Sequence, residues 1–456
     1  MSEVGTGSTG ERRLAKSLGL WAIVGLGLGY MTLTAVFDTF GIVSQKTAGV
    51  VPTAYLLALV AMTFTAVSYG RMTVVFPSAG SAYTYSSATM GPSIGFLIGW
   101  AALLDYILLP LVNAVIVRTY LVAFFPFAPG WLSVVAYCVA ITAMCLFSMS
   151  NTSRLNMILL VFVVTLIGAY IFMAHNALSA GMGNGTLASM LPFWHDGVEF
   201  DKVMTGTTIV AFSFIGFDAI TMYTEEAKDV KFVPKAIVYS LLIGGAIFFI
   251  SAWYTQSVFP KLDVFDNDAL ENSALPQIAL LVGGPYFKIF MTAAAFAATI
   301  SSSLASQASV SRLLFVMGRG GKGPVSRFFG YVHPTYQTPA MAVIFVGAVS
   351  LLAINMNLDF VASLINFGAL IAFVSVNISV ILLFAYKRRE ISGIRQIVKN
   401  IVLPSVGIIV TIVMWLHLSP ESTVYGTIWF SLGVVVLLWL TRFFRRPMPI
   451  TLGDGH

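Results

Sequence analysis

Twelve apolar stretches, each close to the ~20 residues a helix needs to cross hydrocarbon, divide the chain. They lie at about 18–44, 52–74, 93–123, 131–149, 155–175, 203–224, 235–258, 286–313, 339–356, 361–386, 398–418 and 424–444. Such a chain has few options. Lipid offers no water to the backbone, so each stretch must satisfy its own N–H and C=O groups as a helix. Composition agrees. Of 456 residues, 58% are hydrophobic and 10% charged, with a mean hydropathy of +0.88; a soluble domain carries about 25% charged residues. The expected fold class is an all-α polytopic membrane protein with 12 transmembrane helices. The first stretch exceeds the ~7–15-residue core of a cleavable leader and is read as a spanning helix.

An even number of spans puts both termini on one side. With that side cytoplasmic, 20 of the 25 Lys and Arg fall inside and 5 (Lys46, Arg118, Lys202, Lys261 and Lys288) fall outside. This is the bias expected of cytoplasmic loops. The net charge of +6 is therefore a topology signal. The partner it implies is the lipid bilayer, and no nucleic acid is needed. The acidic stretch DVFDNDALE at 263–271 reads as a solvated outer loop. The two cysteines, Cys138 and Cys145, share one helix face seven residues apart and read as buried thiols, since a continuous helix holds them too far apart to bridge.

Enzyme chemistry finds no footing. The five histidines show no metal-ligand spacing with one another or with a cysteine. No GxxxxGK[ST] loop is present, and GRGGKG at 318–323 reads as a flexible basic loop. No cofactor or metal is expected, and the chain is read as not an enzyme.

Two stretches look interrupted. The first contains GLGLGYMTLTAVFDTFG (25–41), with Gly25, Gly27 and Gly29; the sixth contains AFSFIGFDAITMYTEE (211–226), with Gly216 near its middle. Glycine weakens a helix, and bare backbone is tolerated at membrane depth where it lines a cavity. If the first ten helices form two halves of five, stretches one and six correspond, and paired interruptions of that kind point to a transporter's central site. The competing reading is that these glycines let helices approach closely.

Three carboxylates lie within the spans: Asp38, Asp105 and Asp218. Each is costly in hydrocarbon, so function is the default hypothesis. Asp105 and Asp218 are central. Asp38 sits seven residues past the centre of its stretch, about 10 Å toward the outside, where a water-accessible, bland role is an equal alternative. No Lys or Arg lies deep in a span, and Arg118 is thirteen residues from Asp105, roughly 20 Å along the helix. These acids either hold protons or await a mobile cation: a proton, sodium or an ammonium group. An anionic substrate fits poorly. Ser301 and Ser302, in a serine run of stretch eight, are weak sodium candidates, since such runs also mark tight helix packing. Trp415 is either an interfacial anchor or an aromatic lid.

The motifs resemble secondary transporters of the amino acid–polyamine–organocation superfamily over residues 12–445. General marks are the glycine-rich first helix, PSAGSAYTY with GFLIGW (77–100), FSFIGFD with TEE (212–226), VPKAI (233–237) and SRLLFVMGR with HP and TPA (311–340). Closer marks, VFDTFGIVS (36–44), LLDY (103–106), GYVHP (330–334) and LINFGAL (364–370), resemble bacterial putrescine importers. The resemblance implies a leucine-transporter-type 5+5 inverted repeat with two extra helices, working by alternating access. Its boundaries are a cytoplasmic segment 1–17, repeat one at 18–176, repeat two at 200–387, two further helices at 397–444 and a cytoplasmic tail at 445–456. The setting is the bacterial inner membrane, as monomer or homodimer.

Carried over by motif, the substrate would be lined by Met31, Thr32, Leu33, Thr34 and Ala35 of stretch one and by Phe212, Ser213, Phe214, Ile215 and Gly216 of stretch six. Phe212 falls at a gate position, Tyr106 at a lining position, and Asp218 where relatives keep an acid tied to substrate or to proton coupling. One departure matters. Amino-acid-transporting members have a Gly-Ser-Gly-like element whose bare N–H groups hold the substrate carboxylate; here the residues are Leu33-Thr34-Ala35. That favours a substrate without a carboxylate, such as putrescine, with one ammonium on Asp218 and the other near Asp105 or Tyr106. Stretch five contains no lysine, a coupling device of some relatives, so the proton falls to Asp218, with sodium as the alternative. The runner-up readings are an amino-acid permease of the same superfamily and a membrane sensor that transports little.

Overall fold

The computed structural model describes residues 18–446 apart from 79, 125, 126, 128, 148, 268, 269, 271, 272, 320–323, 337 and 357. The expected segment 1–17, most of the 445–456 tail and most of GRGGKG lie outside the described residues. In chain order the helices are α1 (Leu20–Tyr30), α2 (Ala35–Asp38), α3 (Phe40–Thr47), α4 (Val51–Val75), α5 (Ser81–Met90), α6 (Pro92–Phe124), α7 (Gly130–Phe147), α8 (Met149–Ser179) and α9 (Phe200–Phe214). After a 3₁₀ turn at Ala219–Glu226 come α10 (Phe232–Val258), α11 (Leu275–Arg319), α12 (Pro324–Phe329), α13 (Ala340–Ser350), α14 (Leu358–Val380), α15 (Ile394–Ile397), α16 (Leu403–Leu416) and α17 (Pro420–Leu440). Among the described residues there is no strand; the extended pairing is an isolated bridge between Leu18 and Ala227.

The chain is an all-helical polytopic membrane protein. Among the described residues, ten helices are long and apolar enough to cross a membrane. The fourth and ninth expected stretches form shorter apolar helices, Gly130–Leu146 and Ala340–Asn355. The eighth stretch differs from expectation at its start. Its helix begins at Leu275 and kinks at Gly284, where φ is +76°, just before Pro285. Proline removes a helical N–H and glycine reaches the positive φ, so the kink sits where the two meet. Helix α4 packs against α10 and α9, α6 against α14, and α11 against α8 and α6; α1 is enclosed by α10, α8 and α11.

The interruption of stretch one is not where its glycines stand. Gly25, Gly27 and Gly29 lie inside the regular helix α1, which ends at Tyr30. The break spans Met31–Thr34, with Thr32 in the left-handed region at φ +45°, and α2 resumes at Ala35. The glycines serve close approach. A methyl at Gly25 would meet Met157 Cε of α8 at 2.5 Å, one at Gly27 would meet Ser240 Oγ of α10 at 2.8 Å, and one at Gly29 would meet Ser301 Oγ of α11 at 2.6 Å. Any larger side chain must push a neighbouring helix away. The sixth stretch does break at its glycine. Helix α9 ends at Phe214, Gly216 takes φ +131°, and the 3₁₀ turn follows.

The variant Gly27→Val should fold with reduced stability, by about 1–3 kcal/mol as for other overpacked cores. The expected outcome is a lower melting temperature of the detergent-purified protein by tryptophan fluorescence. Gly19→Val, where a methyl meets nothing within 4 Å, should melt like the parent.

Candidate functional site

The two interruptions lie against each other. A methyl built on Gly216 would stand 2.7 Å from Tyr30 Cδ1 and 3.1 Å from Met31 Cγ, so only a residue without a side chain lets the sixth stretch touch the end of α1. Helix ends freed in this way expose backbone groups, and buried polar side chains receive them. Ser302 Oγ donates to the Tyr30 carbonyl at the end of α1 at 3.0 Å; within the helix, Asn156 Nδ2 also donates to the Gly25 carbonyl at 2.9 Å and Ser240 Oγ to the Val24 carbonyl at 3.1 Å. Ser301 Oγ donates to Asn156 Oδ1, and Asn113 Nδ2 donates to Ser302 Oγ at 2.9 Å. Both serine hydroxyls weighed for sodium are thus engaged with the protein.

Asp218 sits just past the Gly216 break. The Gly216 N–H donates to its Oδ1 at 3.1 Å, and Tyr106 Oη donates to its Oδ2 at 2.5 Å. Ser81 Oγ is 3.4 Å from the same tyrosine hydroxyl. Asp105, one residue before Tyr106 on α6, lies in electrostatic range of Asp218. Its Oδ1 is buried with no hydrogen-bond partner. Tyr30 and Tyr69 feel both carboxylates, and their hydroxyls are also buried and unpartnered. Among the described residues, no salt bridge reaches either acid. The result is a buried cluster of two carboxylates and three tyrosines. It can bind a guest carrying positive charge.

The remaining expected residues are scattered around this cluster. Met31 points toward α10, its Cε 2.7 Å from where a Gly244 methyl would be. Leu33 faces a small cavity with Leu28, Gly29, Leu160, Val163, Ala298 and Ser301. Thr32 Oγ1 turns back to the Tyr30 carbonyl at 3.5 Å, the Thr34 hydroxyl is buried without a partner, and Ala35 begins α2. Phe212 is buried, and its carbonyl accepts from Ile215 N at 3.2 Å in the last turn before the break. Ser213 Oγ lies 3.2 Å from Tyr55 Oη, and Phe214 packs on Phe248 with ring centroids 5.4 Å apart. Trp415 packs on Phe367 at 5.6 Å with its indole N–H buried. Tyr30, Tyr69 and Asn156 carry no local sequence signal beyond being polar-tipped residues in apolar stretches.

Two ties hold the elements around the cluster at opposite ends of the bundle. At the end where α1 begins, Leu18 N donates to the Glu226 carbonyl and Lys228 N to the Leu18 carbonyl, at 3.0 and 2.9 Å. There Arg312 Nη2 of α11 pairs with Glu226 Oε1 at 2.5 Å, and its guanidinium lies 4.7 Å over the Tyr223 ring. Their side chains are only 7% and 15% exposed, so Arg312 is more than a topology signal. At the other end Asp38 is not water-accessible. It is 2% exposed and accepts from Tyr120 Oη and, at 2.8 Å, from Ser273 Oγ. Arg118 instead donates to the carbonyls of Ala353, Ile354 and Met356 at 2.6–2.8 Å. It caps a helix end and leaves Asp105 alone.

Breaking a largely buried ion pair strands the surviving charge, at a cost of about 3–5 kcal/mol. Glu226→Gln should therefore lower the melting temperature of the purified protein sharply, and adding Arg312→Gln should recover more than half of the loss. Equal melting of the parent and Glu226→Gln would contradict a buried tie.

The amino acid permease family matches residues 18–440, and the chain belongs to that family. It is 42% identical over 451 residues to the low-affinity putrescine importer PlaP of Escherichia coli (strain K12), covering 98% of this chain and 99% of the relative. It is 26% identical to the branched-chain amino acid permease BcaP of Bacillus subtilis (strain 168), over 95% of both chains. It is also 26% identical to the methylthioribose transporter of the same organism, again over 95% of both.

Proposed function

We propose that this amino acid permease family member is a secondary active importer of putrescine or a closely related polyamine. The observation that carries the reading is the pair of buried carboxylates, Asp105 and Asp218, which no salt bridge reaches among the described residues. A diamine brings an ammonium to each. The near full-length identity to a putrescine importer supports the same substrate class. Asp218, fixed by Tyr106 and the Gly216 N–H, takes one ammonium. Asp105, with the free hydroxyl oxygens of Tyr30 and Tyr69, takes the other, and the tyrosine faces add cation–π attraction. Tyr106 donates to Asp218 and so acts as its positioning residue.

In this reading α7 and α13 complete twelve spans, with repeats at 18–176 and 200–387 and two extra helices at 397–444. The termini are cytoplasmic and the membrane is the bacterial inner membrane. Transport alternates by opening one end at a time, the ties at Glu226–Arg312 and Asp38–Tyr120 being released in turn. Coupling is to protons through Asp218. The engagement of Ser301 and Ser302 by Asn156 and the Tyr30 carbonyl favours protons over sodium.

The test is radiolabelled putrescine uptake into proteoliposomes with and without an inward proton gradient, competed by amino acids. Uptake should rise with the gradient and resist branched-chain amino acids. Uptake of an amino acid with none of putrescine would overturn the substrate assignment and favour the family's amino-acid activity. A charged hydrogen bond is worth about 1.5–3 kcal/mol, so Asp218→Asn should cut uptake by roughly 10- to 100-fold in protein that still elutes as a folded species. Tyr106→Phe should mainly raise KM, by several-fold. Undiminished proton-driven uptake in Asp218→Asn would remove that residue from the mechanism.

A further inference from the structure

Away from the carboxylate cluster, an open groove of about 510 Å³ runs between α4, the start of α10 and the π-helical turn Ile381–Lys387 that follows α14. Its walls include Ala66, Val67, Val74, Val75, Pro234 and Val238. The helices come close along its floor, where a methyl at Gly70 would stand 3.2 Å from Pro234 Cβ. Val74 is 51% exposed, and α4 and α10 are both long and apolar enough to cross a membrane. This is a surface that hydrocarbon wets.

Two guanidiniums close one end of the groove. Arg71 Cζ lies 4.0 Å over the Phe384 ring and Arg388 Cζ 5.3 Å from the same centroid. Arg71 is fixed by donating from Nη1 to the Lys399 carbonyl and from Nη2 to Asn400 Oδ1, both at 2.5 Å. Neither of those acceptors neutralises it. The nearby carboxylate, Glu390, reaches Arg388 at 3.8 Å with both side chains over 40% exposed, a weak, screened contact. Each guanidinium offers five N–H donors in a planar fork matched to phosphate oxygens. Lys387 and Arg389 flank Arg388 in the chain and add to the positive field. Residues 66 to 75 of the wall extend about 14 Å along α4. That is far more apolar length than a free anion uses.

We propose that this groove binds one phospholipid with an anionic headgroup, its phosphate on Arg71 and Arg388 and an acyl chain along the seam of α4 and α10. Charge complementarity selects the headgroup, and the apolar walls require a lipid tail. The site lies where α4 ends and α10 begins, at the end of the bundle where α1 starts, the depth at which headgroups meet helices.

The experiment is native mass spectrometry of the full chain in detergent with equimolar dioleoyl-phosphatidylglycerol and dioleoyl-phosphatidylcholine, and separately with inorganic phosphate. Phosphatidylglycerol adducts should dominate. Arg388→Gln should reduce that preference about fivefold, the equivalent of ~1 kcal/mol for one cation at a membrane surface. Val238→Trp should reduce retention of both lipids by filling the groove. Neither Arg388 nor Val238 belongs to the carboxylate cluster, and Arg388 is exposed, so these variants test the site more safely than the backbone-tied Arg71. Melting curves identify either variant that misfolds, leaving the other to decide. Equal retention of the two lipids, a preference unchanged in Arg388→Gln, or displacement of phosphatidylglycerol by inorganic phosphate would each overturn the proposal. Because the readout is lipid binding, it stands or falls separately from putrescine uptake.

Discussion

Hydrocarbon tolerates an interrupted helix only where other protein groups receive the backbone atoms the interruption frees. That constraint organises the middle of this molecule. The breaks at Met31–Thr34 and Gly216 touch, and Ser302 and Asp218 are the receivers. Ser302 holds the Tyr30 carbonyl at the end of α1 and Asp218 the Gly216 N–H, while Asn156 and Ser240 brace α1 through the mid-helix carbonyls of Gly25 and Val24. The helices that supply the side chains on α1, namely α8, α10 and α11, are thereby gathered on it. A polar interior in an apolar chain is the consequence.

The same interior has to deal with charge. Burial of an uncompensated ion costs several kcal/mol, and three solutions coexist. Glu226 is paired with Arg312, and Asp38 is held by two hydroxyls. Asp105 and Asp218 share one region, with only Asp218 hydrogen-bonded on both oxygens. The first two arrangements tie elements together, although Asp38 Oδ2 and Arg312 Nη1 are buried without a hydrogen-bond partner. The third brings two carboxylates together beside the helix breaks with no salt bridge among the described residues, and function is read there.

Much of this was legible from the chain. Apolar length and the scarcity of charge were enough for the helical class, because lipid leaves the backbone so few choices. Gly216 was readable as a break. Gly25, Gly27 and Gly29 misled, because glycine's low helix propensity and its usefulness for close approach leave the same mark in a sequence. The true break falls on Thr32, a residue type that advertises no positive φ. Depth along a stretch misjudged Asp38, whose partners Tyr120 and Ser273 lie 82 and 235 residues away. Arg312 counted as a loop-side charge until its partner Glu226 came into view. Partners so distant in sequence are set by tertiary packing, and local pattern carries no trace of them. Composition likewise could not distinguish the unpartnered hydroxyls of Tyr30 and Tyr69 from ordinary buried tyrosines.

The central claim is that Asp105 and Asp218 together form a receptor for two positive charges. Isothermal titration of the purified protein with 1,4-diaminobutane and with n-butylamine, repeated on Asp105→Asn, tests it most directly. The account predicts that the diamine binds the parent roughly 10- to 100-fold tighter than the monoamine, the worth of one charged hydrogen bond. It also predicts that Asp105→Asn erases most of that advantage. Equal affinity for the two amines in the parent, or an undiminished diamine advantage in Asp105→Asn, would contradict it.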